Sequence, residues 1–324
     1  MMLFNSIAGN MTEVILSIIG GLVLFLYGVN SLSGHIQEVL GENAKQLILK
    51  FTSNTLLSLA TGIVVTAVLD SSSAVIIITI VFVNAKLLNL KQAMGIVLGA
   101  NIGTTISSQI IALDFGKFSP IFLLIGFVFI LVAKTAQLSN TGKAILYFGV
   151  LFFGLYTMEN AVEPLKESPV FIEWLKHTEK PMSGALIGAL VTLVIQSSSA
   201  TVGMAIILTK KGLLSLGGGI AVMLGAELGT CSDTLLATIK GSRAALKTGL
   251  FHLFFNIVSI VLGLLLFEPF CTLVAQISVN ASMERSLANA HMLFNTFGVL
   301  SFVWFIPLAE KLLNKYLPET NLAK

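Results

Sequence analysis

The sequence predicts an all-α polytopic membrane protein made of two inverted-topology repeats, each with a re-entrant helical hairpin and a glycine-broken helix. Three observations predict it. Hydrophobic residues make up 55% of the 324-residue chain and charged residues only 11%, against roughly 25% charged in soluble domains. Apolar runs near 14–34, 118–136, 142–158, 244–267 and 287–308 approach the roughly 20 residues that a helix needs to cross a bilayer. Finally, a single shift of 126 positions superposes one half of the chain on the other.

The shift takes Gly28 to Gly154, Gly62 to Gly188 and Thr66 to Thr192. It carries the triplet Ser71, Ser72, Ser73 with Ala74 onto Ser197, Ser198, Ser199 with Ala200. It also carries Leu98, Gly99, Ala100, Gly103 and Thr104 onto Leu224, Gly225, Ala226, Gly229 and Thr230. Apolar composition produces chance identities, but it does not align S-S-S-A and G-A-x-x-G-T under one gapless offset. The chain therefore divides into a first repeat, 1–136, and a second, 137–324, the latter with an added final helix.

Each repeat opens with a spanning helix (14–34; 142–160), taken as a retained helix because the amino terminus offers Glu13 and no basic cluster. A Lys/Glu-bearing amphipathic stretch follows (35–54; 163–180) and is expected on the membrane surface as scaffold. Next comes an apolar segment interrupted by the serines (55–83; 182–209). Each half is too short to cross, so two half-helices meeting at the serines in a re-entrant hairpin are expected. A helix carrying G-A-x-x-G-T (91–113; 216–239), expected to break at its glycines, and a further apolar helix (118–136; 244–267) complete the unit. With the last helix, near 287–315, seven crossings are expected. Three crossings per repeat invert the second repeat relative to the first, a design used by transporters.

A helix start presents free N–H groups and partial positive charge, serine is a favoured N-cap, and its hydroxyl can donate to a ligand. Three serines opening a half-helix thus form a compact anion cradle, and their oxygens also suit sodium. The alternative is that the serines bond back to their own helix or join neighbouring helices. For the glycine motifs the alternative is close packing of small residues, which leaves Asn101 and Glu227 unexplained.

The doubled Q-S-S-S-type motif followed by G-A-N-I-G-T-T-like sequence resembles the type II sodium–phosphate cotransporters and their bacterial relatives, over roughly residues 14–310. The resemblance implies sodium-driven uptake of inorganic phosphate across the cytoplasmic (inner) membrane by alternating access. It places the anion at Ser71, Ser72, Ser73, Gln196, Ser197, Ser198 and Ser199. Ion coupling is expected from Asp70, Asn101, Thr104, Thr105, Glu227 and Thr230. The metal expected is sodium, at residues overlapping these sets. No enzymatic activity, no other cofactor and no nucleic-acid partner are expected. The lipid bilayer is the surrounding partner, and a homo-oligomer is compatible with the pattern.

Three positions depart from the family pattern. Asp70 stands where glutamine is usual, Glu227 where asparagine is usual, and Cys231 where threonine is usual. A carboxylate in mid-membrane costs about 2.5–3.5 kcal/mol on insertion scales and is a functional candidate by default. Asp70 would repel a phosphate dianion unless sodium or a proton intervenes, which leaves another oxyanion or a small organic anion open as substrate. The other readings are a channel on the same repeats and an intramembrane hydrolase using a serine with His252 or His291. The hydrolase reading lacks a G-x-S-x-G turn.

His252 with Asn256, and His291 with Asn295, each share a helix face. Helix–helix hydrogen bonding is the first expectation for both pairs and a proton relay the second. Lys210, Lys211, Arg243, Lys247, Glu159 and Asn160 are expected at the interface, with Trp174 and Trp304 as anchors.

Overall fold

The computed structural model describes residues 2–239 and 241–318, and every regular element among them is a helix. The order begins with α1 (Met2–Lys50), α2 (Thr55–Leu69), α3 (Ser72–Asn84), α4 (Leu90–Ile111) and α5 (Ser119–Val132). There follow α6 (Ala136–Ala161), α7 (Pro169–Leu175), α8 (Pro181–Ile195), α9 (Ser198–Lys210), α10 (Leu216–Gly229) and α11 (Cys231–Leu236). The chain ends with α12 (Arg243–Leu265), α13 (Phe267–Ile277), α14 (Met283–Phe302) and α15 (Ile306–Tyr316). Under the shift of 126, the bounds of α2 and α3 fall on those of α8 and α9, and the start of α4 falls on that of α10.

Both serine segments break where the triplet begins. Asp70 and Gln196 take left-handed backbone conformations, φ 51° and φ 58°, and end α2 and α8. Ser71 and Ser197 then cap α3 and α9, each hydroxyl accepting the N–H three residues on, from Ala74 and Ala200, at 3.2 Å.

The glycine motifs correct the expectation of a broken helix. Through G-A-N-I-G-T-T, α4 runs uninterrupted for 22 residues. The second copy is interrupted only at Thr230, between α10 and α11, with Thr230 itself still in right-handed helical conformation. The glycines serve packing instead. A Cβ on Gly99 would lie 2.1 Å from the Leu59 carbonyl oxygen, and one on Gly62 would lie 2.4 Å from that of Ile96. The second repeat reproduces this contact, with Gly225 on Ala185 at 1.7 Å and Gly188 on Val222 at 2.0 Å. Small residues let α2 lie backbone to backbone on α4, and α8 on α10, the alternative role for these glycines.

The opening segment also differs from expectation. One 49-residue helix, α1, covers both the spanning run and the amphipathic stretch 35–54 up to Lys50. Between the spanning run and Lys50 the residues that weaken the helix are Gly34 and Gly41. An interior glycine costs a helix about 1 kcal/mol, too little to stop it. The corresponding 163–180 stretch does fold into short pieces, a 3-10 turn at Glu163–Glu167 and then α7.

Among the described residues, five helical segments are long and apolar enough to cross a membrane: Thr12–Lys50, Leu90–Ile111, Ala136–Glu167, Arg243–Leu265 and Met283–Tyr316. Of the seven expected crossings, α5 falls short with 14 residues, and the Thr230 interruption divides the second glycine helix into 14 and 6 residues.

Two packing groups meet where α1 lies on α2 and α6 on α9. Along one side α1 lies on α6 and α6 on α5, presenting exposed Ile15, Leu16, Ile19, Leu124 and Leu131, a surface suited to lipid. On the other side the tip-bearing pairs pack crosswise between repeats. The helix α9 lies against α4, and α11 lies against α3. Both α12 and α14 pack on α4 and on α10.

One interfacial assignment changes, and two others gain partners. Lys247 is buried, 2% exposed, because α15 covers the start of α12, and its Nζ donates to Asn314 Oδ1 at 2.6 Å. Lys210 is not a free snorkelling cation but pairs with Asp114 and Glu159 at 2.8 Å each. Lys211 pairs with Glu159 and Glu163. Trp304 is exposed, whereas the Trp174 side chain lies outside the described residues.

Candidate functional site: the two serine tips and the helices behind them

Each tip is shaped by a sharp local rule. The left-handed residue turns the chain, and the serine after it is extended and caps the next helix. Capping takes one N–H, while the first-turn N–H groups of Ser72 and Ser73, and of Ser198 and Ser199, have no intrahelical acceptor to reach. Ser71, Ser72 and Ser73 are half-buried, Ser198 is buried and Gln196 is exposed. Among the described residues, no hydrogen bond joins one triplet to the other.

The first tip carries the acidic groups. Ser107, on α4, donates its hydroxyl to Asp70 Oδ1. Asp233, on α11, is brought to the Ser73 side of the tip by the packing of α11 on α3. Two carboxylates, one from each repeat, therefore flank one serine tip. Ser33 of α1 donates to the Leu69 carbonyl at 3.0 Å and anchors the bend from outside.

The polar residues of the glycine motifs are occupied differently. Asn101 donates to the Val97 carbonyl, Thr104 to that of Ala100 and Thr105 to that of Ile102, all within α4. Thr230 donates to the Glu227 carbonyl. Their donors serve their own helix, and lone pairs on Asn101 Oδ1 and the threonine oxygens remain to accept.

Glu227 is committed elsewhere. Its Oε1 lies 2.8 Å from His291 Nε2, and His291 Nδ1 lies 2.7 Å from Ser108 Oγ. The three come from α10, α14 and α4. Ser108 and His291 are fully buried and Glu227 is 3% exposed. The order hydroxyl–imidazole–carboxylate is that of a hydrolase triad, but a hydroxyl without accessible surface cannot meet a substrate carbonyl. His252 makes the parallel contact, its Nδ1 3.0 Å from Thr234 Oγ1. Asn256 approaches Cys231 Sγ at 3.3 Å. Both histidine pairs thus join helices, as first expected.

Four residues outside the sequence-based expectations matter here: Ser107, Ser108, Asp233 and Thr234. The shift of 126 carries Ser107 to Asp233 and Ser108 to Thr234, a few positions beyond the glycine motif. The signal is positional only. Serine paired with aspartate, and serine with threonine, register no identity, so the run of identities stops just before the second polar layer of the repeat.

With this geometry in hand, the chain can be set beside known proteins. The Na+/Pi-cotransporter family matches residues 24–160 and 170–302, each stretch containing one serine triplet. YqeW of Bacillus subtilis strain 168, an uncharacterized protein, is 29% identical over 310 residues, covering 94% of this chain and 99% of YqeW. YjbB of Escherichia coli K12, named as a candidate inorganic phosphate export protein, is 27% identical over 300 residues, 91% of this chain. The match covers 54% of YjbB, so the chain spans about half the length of that relative. The human sodium-dependent phosphate transport protein 2B is 38% identical over 98 residues, 30% of this chain and 14% of the human protein. No solved structure gives a significant match. The chain belongs to the Na+/Pi-cotransporter family.

Proposed function

We propose that this chain is a sodium-coupled symporter of inorganic phosphate, working by alternating access in the cytoplasmic membrane of a cell. The observation that carries the reading is the duplicated bend: two serine-capped half-helices, entered through left-handed residues with φ values 7° apart, in one chain of this family. The two tips act as re-entrant hairpins of inverted repeats. Their free first-turn N–H groups and hydroxyls from Ser71–Ser73 and Ser197–Ser199 hold the phosphate, and Gln196 closes the second tip.

Sodium sits at the first tip. Asp70 faces a dianion there, and a cation between them turns repulsion into attraction. This explains why an acid is tolerated next to an anion cradle. Names among the relatives point to opposite directions, transport with sodium and export. Alternating access runs either way according to the gradients, and an inward sodium gradient drives uptake.

The test is radiolabelled phosphate uptake into proteoliposomes under an inward sodium gradient, for wild type and Asp70→Gln. Wild-type uptake that collapses when sodium is replaced by choline is expected, and its absence sinks the phosphate reading. Uptake by Asp70→Gln alone would mean that Asp70 has retuned the tip toward another anion.

A further inference from the structure

The chain has 19 basic residues, and only two of them are arginines, Arg243 and Arg285. Arg285, in the first turn of α14, fronts a cavity of about 600 Å³ that is also lined by Gln109, Gln276, Asn280 and Asn289. We infer that this cavity is an anion-binding vestibule, separate from the serine tips, that takes a phosphate-class oxyanion from water ahead of transport. The inference rests on the reading of this chain as a phosphate transporter.

The lining argues for an oxyanion. One guanidinium and four carboxamides border the space, the rest of the wall is aliphatic, and no aspartate or glutamate lines it. Arg285 is exposed, and it makes no ion pair or hydrogen bond with any described residue. Lys210 and Lys211, by contrast, are paired with Asp114, Glu159 and Glu163. A free guanidinium offers a rigid planar fork of N–H donors that can grip two oxygens of one oxyanion, where a lysine is only a point charge. The carboxylate next in sequence, Glu284, lines a different and smaller cavity, together with Lys210.

Two of the carboxamides are held in place. Gln109 Nε2 donates to Asn289 Oδ1 at 3.3 Å, and Asn289 Nδ2 donates to Ser278 Oγ at 3.2 Å. This relay ties the last turns of α4 to α14 and to the turn after α13. Each of the two amide nitrogens keeps a second N–H, and Gln109 keeps its carbonyl oxygen. Hydrogen phosphate needs such a mixture, because its bare oxygens accept hydrogen bonds while its hydroxyl must donate one.

The position suits entry. Two crossing segments, Leu90–Ile111 and Met283–Tyr316, border the cavity near their ends, through Gln109 and Arg285. It therefore opens at a membrane face, where solute arrives from water. Gln109 follows Ser107 and Ser108 on α4, and Ser107 bonds Asp70 at the first tip. A cleft lined by one sign of charge concentrates counter-ions and raises association rates by about 10–10³.

A phospholipid headgroup carries the same chemistry, so the experiment has an arm for each source. Full-length protein in sodium-free detergent solution is treated with phenylglyoxal, an arginine-selective reagent, and the modified peptides are quantified by mass spectrometry. Potassium phosphate is compared with potassium chloride at equal ionic strength, and with mixed micelles containing phosphatidylglycerol. Phosphate is expected to slow modification of Arg285 several-fold and to leave Arg243, also exposed, unchanged. Equal rates in phosphate and chloride overturn the proposal, as does protection by the lipid micelles alone. In proteoliposomes, Arg285→Gln is expected to lower uptake at limiting phosphate roughly tenfold, the low end of electrostatic steering, with the deficit shrinking toward saturation. An unchanged rate at limiting phosphate also overturns the proposal. Arg285 protected by phosphate in a protein that shows no uptake keeps the anion site and removes the transporter reading. Wild-type uptake with Arg285 unprotected does the reverse.

Discussion

Asp70 and Gln196, 126 residues apart, share one left-handed backbone conformation, φ 51° with ψ 34° and φ 58° with ψ 31°. Their side chains differ in charge, yet each turns the chain into a serine cap. Valine at either site would clash in this region, at a cost of about 1–2 kcal/mol. Asp70→Val should therefore lower the thermal unfolding midpoint in detergent, while Asp70→Asn, which tolerates the left-handed region, should leave it near wild type.

Gly225→Ala places a methyl 1.7 Å from the Ala185 carbonyl oxygen, and Gly99→Ala places one 2.1 Å from that of Leu59. Backbone cannot move aside as a side chain can. Overpacking of this kind costs about 1–3 kcal/mol or more. Gly20 faces open space, with nothing within 4 Å of where a methyl would stand, and Gly20→Ala gains up to about 1 kcal/mol of helix propensity. Unfolding curves of Gly225→Ala and Gly99→Ala should fall below wild type, and that of Gly20→Ala at or above it.

Thr192 donates to Thr201 at 2.8 Å across the second bend. In the first repeat the same positions are Thr66 and Val75, and the Thr66 hydroxyl is buried with no partner. Thr201→Val should destabilise by about 1–3 kcal/mol, the cost of stranding a buried hydroxyl. Val75→Thr should gain up to about 1 kcal/mol by giving Thr66 a partner. A Val75→Thr variant that melts below wild type would contradict this account.

Capping and anion binding at Ser71 can be separated. Ser71→Ala loses the acceptor for the Ala74 N–H, worth about 1 kcal/mol. Ser71→Asp keeps a good cap but adds negative charge beside the proposed phosphate. Its unfolding midpoint should stay close to wild type while sodium-driven phosphate uptake falls sharply. Equal loss of both properties in the two variants would tie Ser71 to folding alone.

Much of this protein follows from sequence because its determinants are local. Too few charges for a soluble domain, and a triplet of serines inside apolar sequence, are enough to set an all-helical chain and to position both bends, since capping and helix starts act within four residues. The shift of 126 is a property of the chain itself. Tertiary structure decided the rest. Whether G-A-N-I-G-T-T breaks or packs depends on a partner backbone lying against Gly99, which Leu59 supplies. Whether Lys247 reaches water depends on α15 closing over it. Glu227 reads in sequence as a bare acid in the membrane, and only the approach of α14 shows it hydrogen-bonded to His291, 64 positions away. Contacts between distant helices leave no local trace in composition or spacing, so the bends were legible in the sequence and the buried chain between the repeats was not.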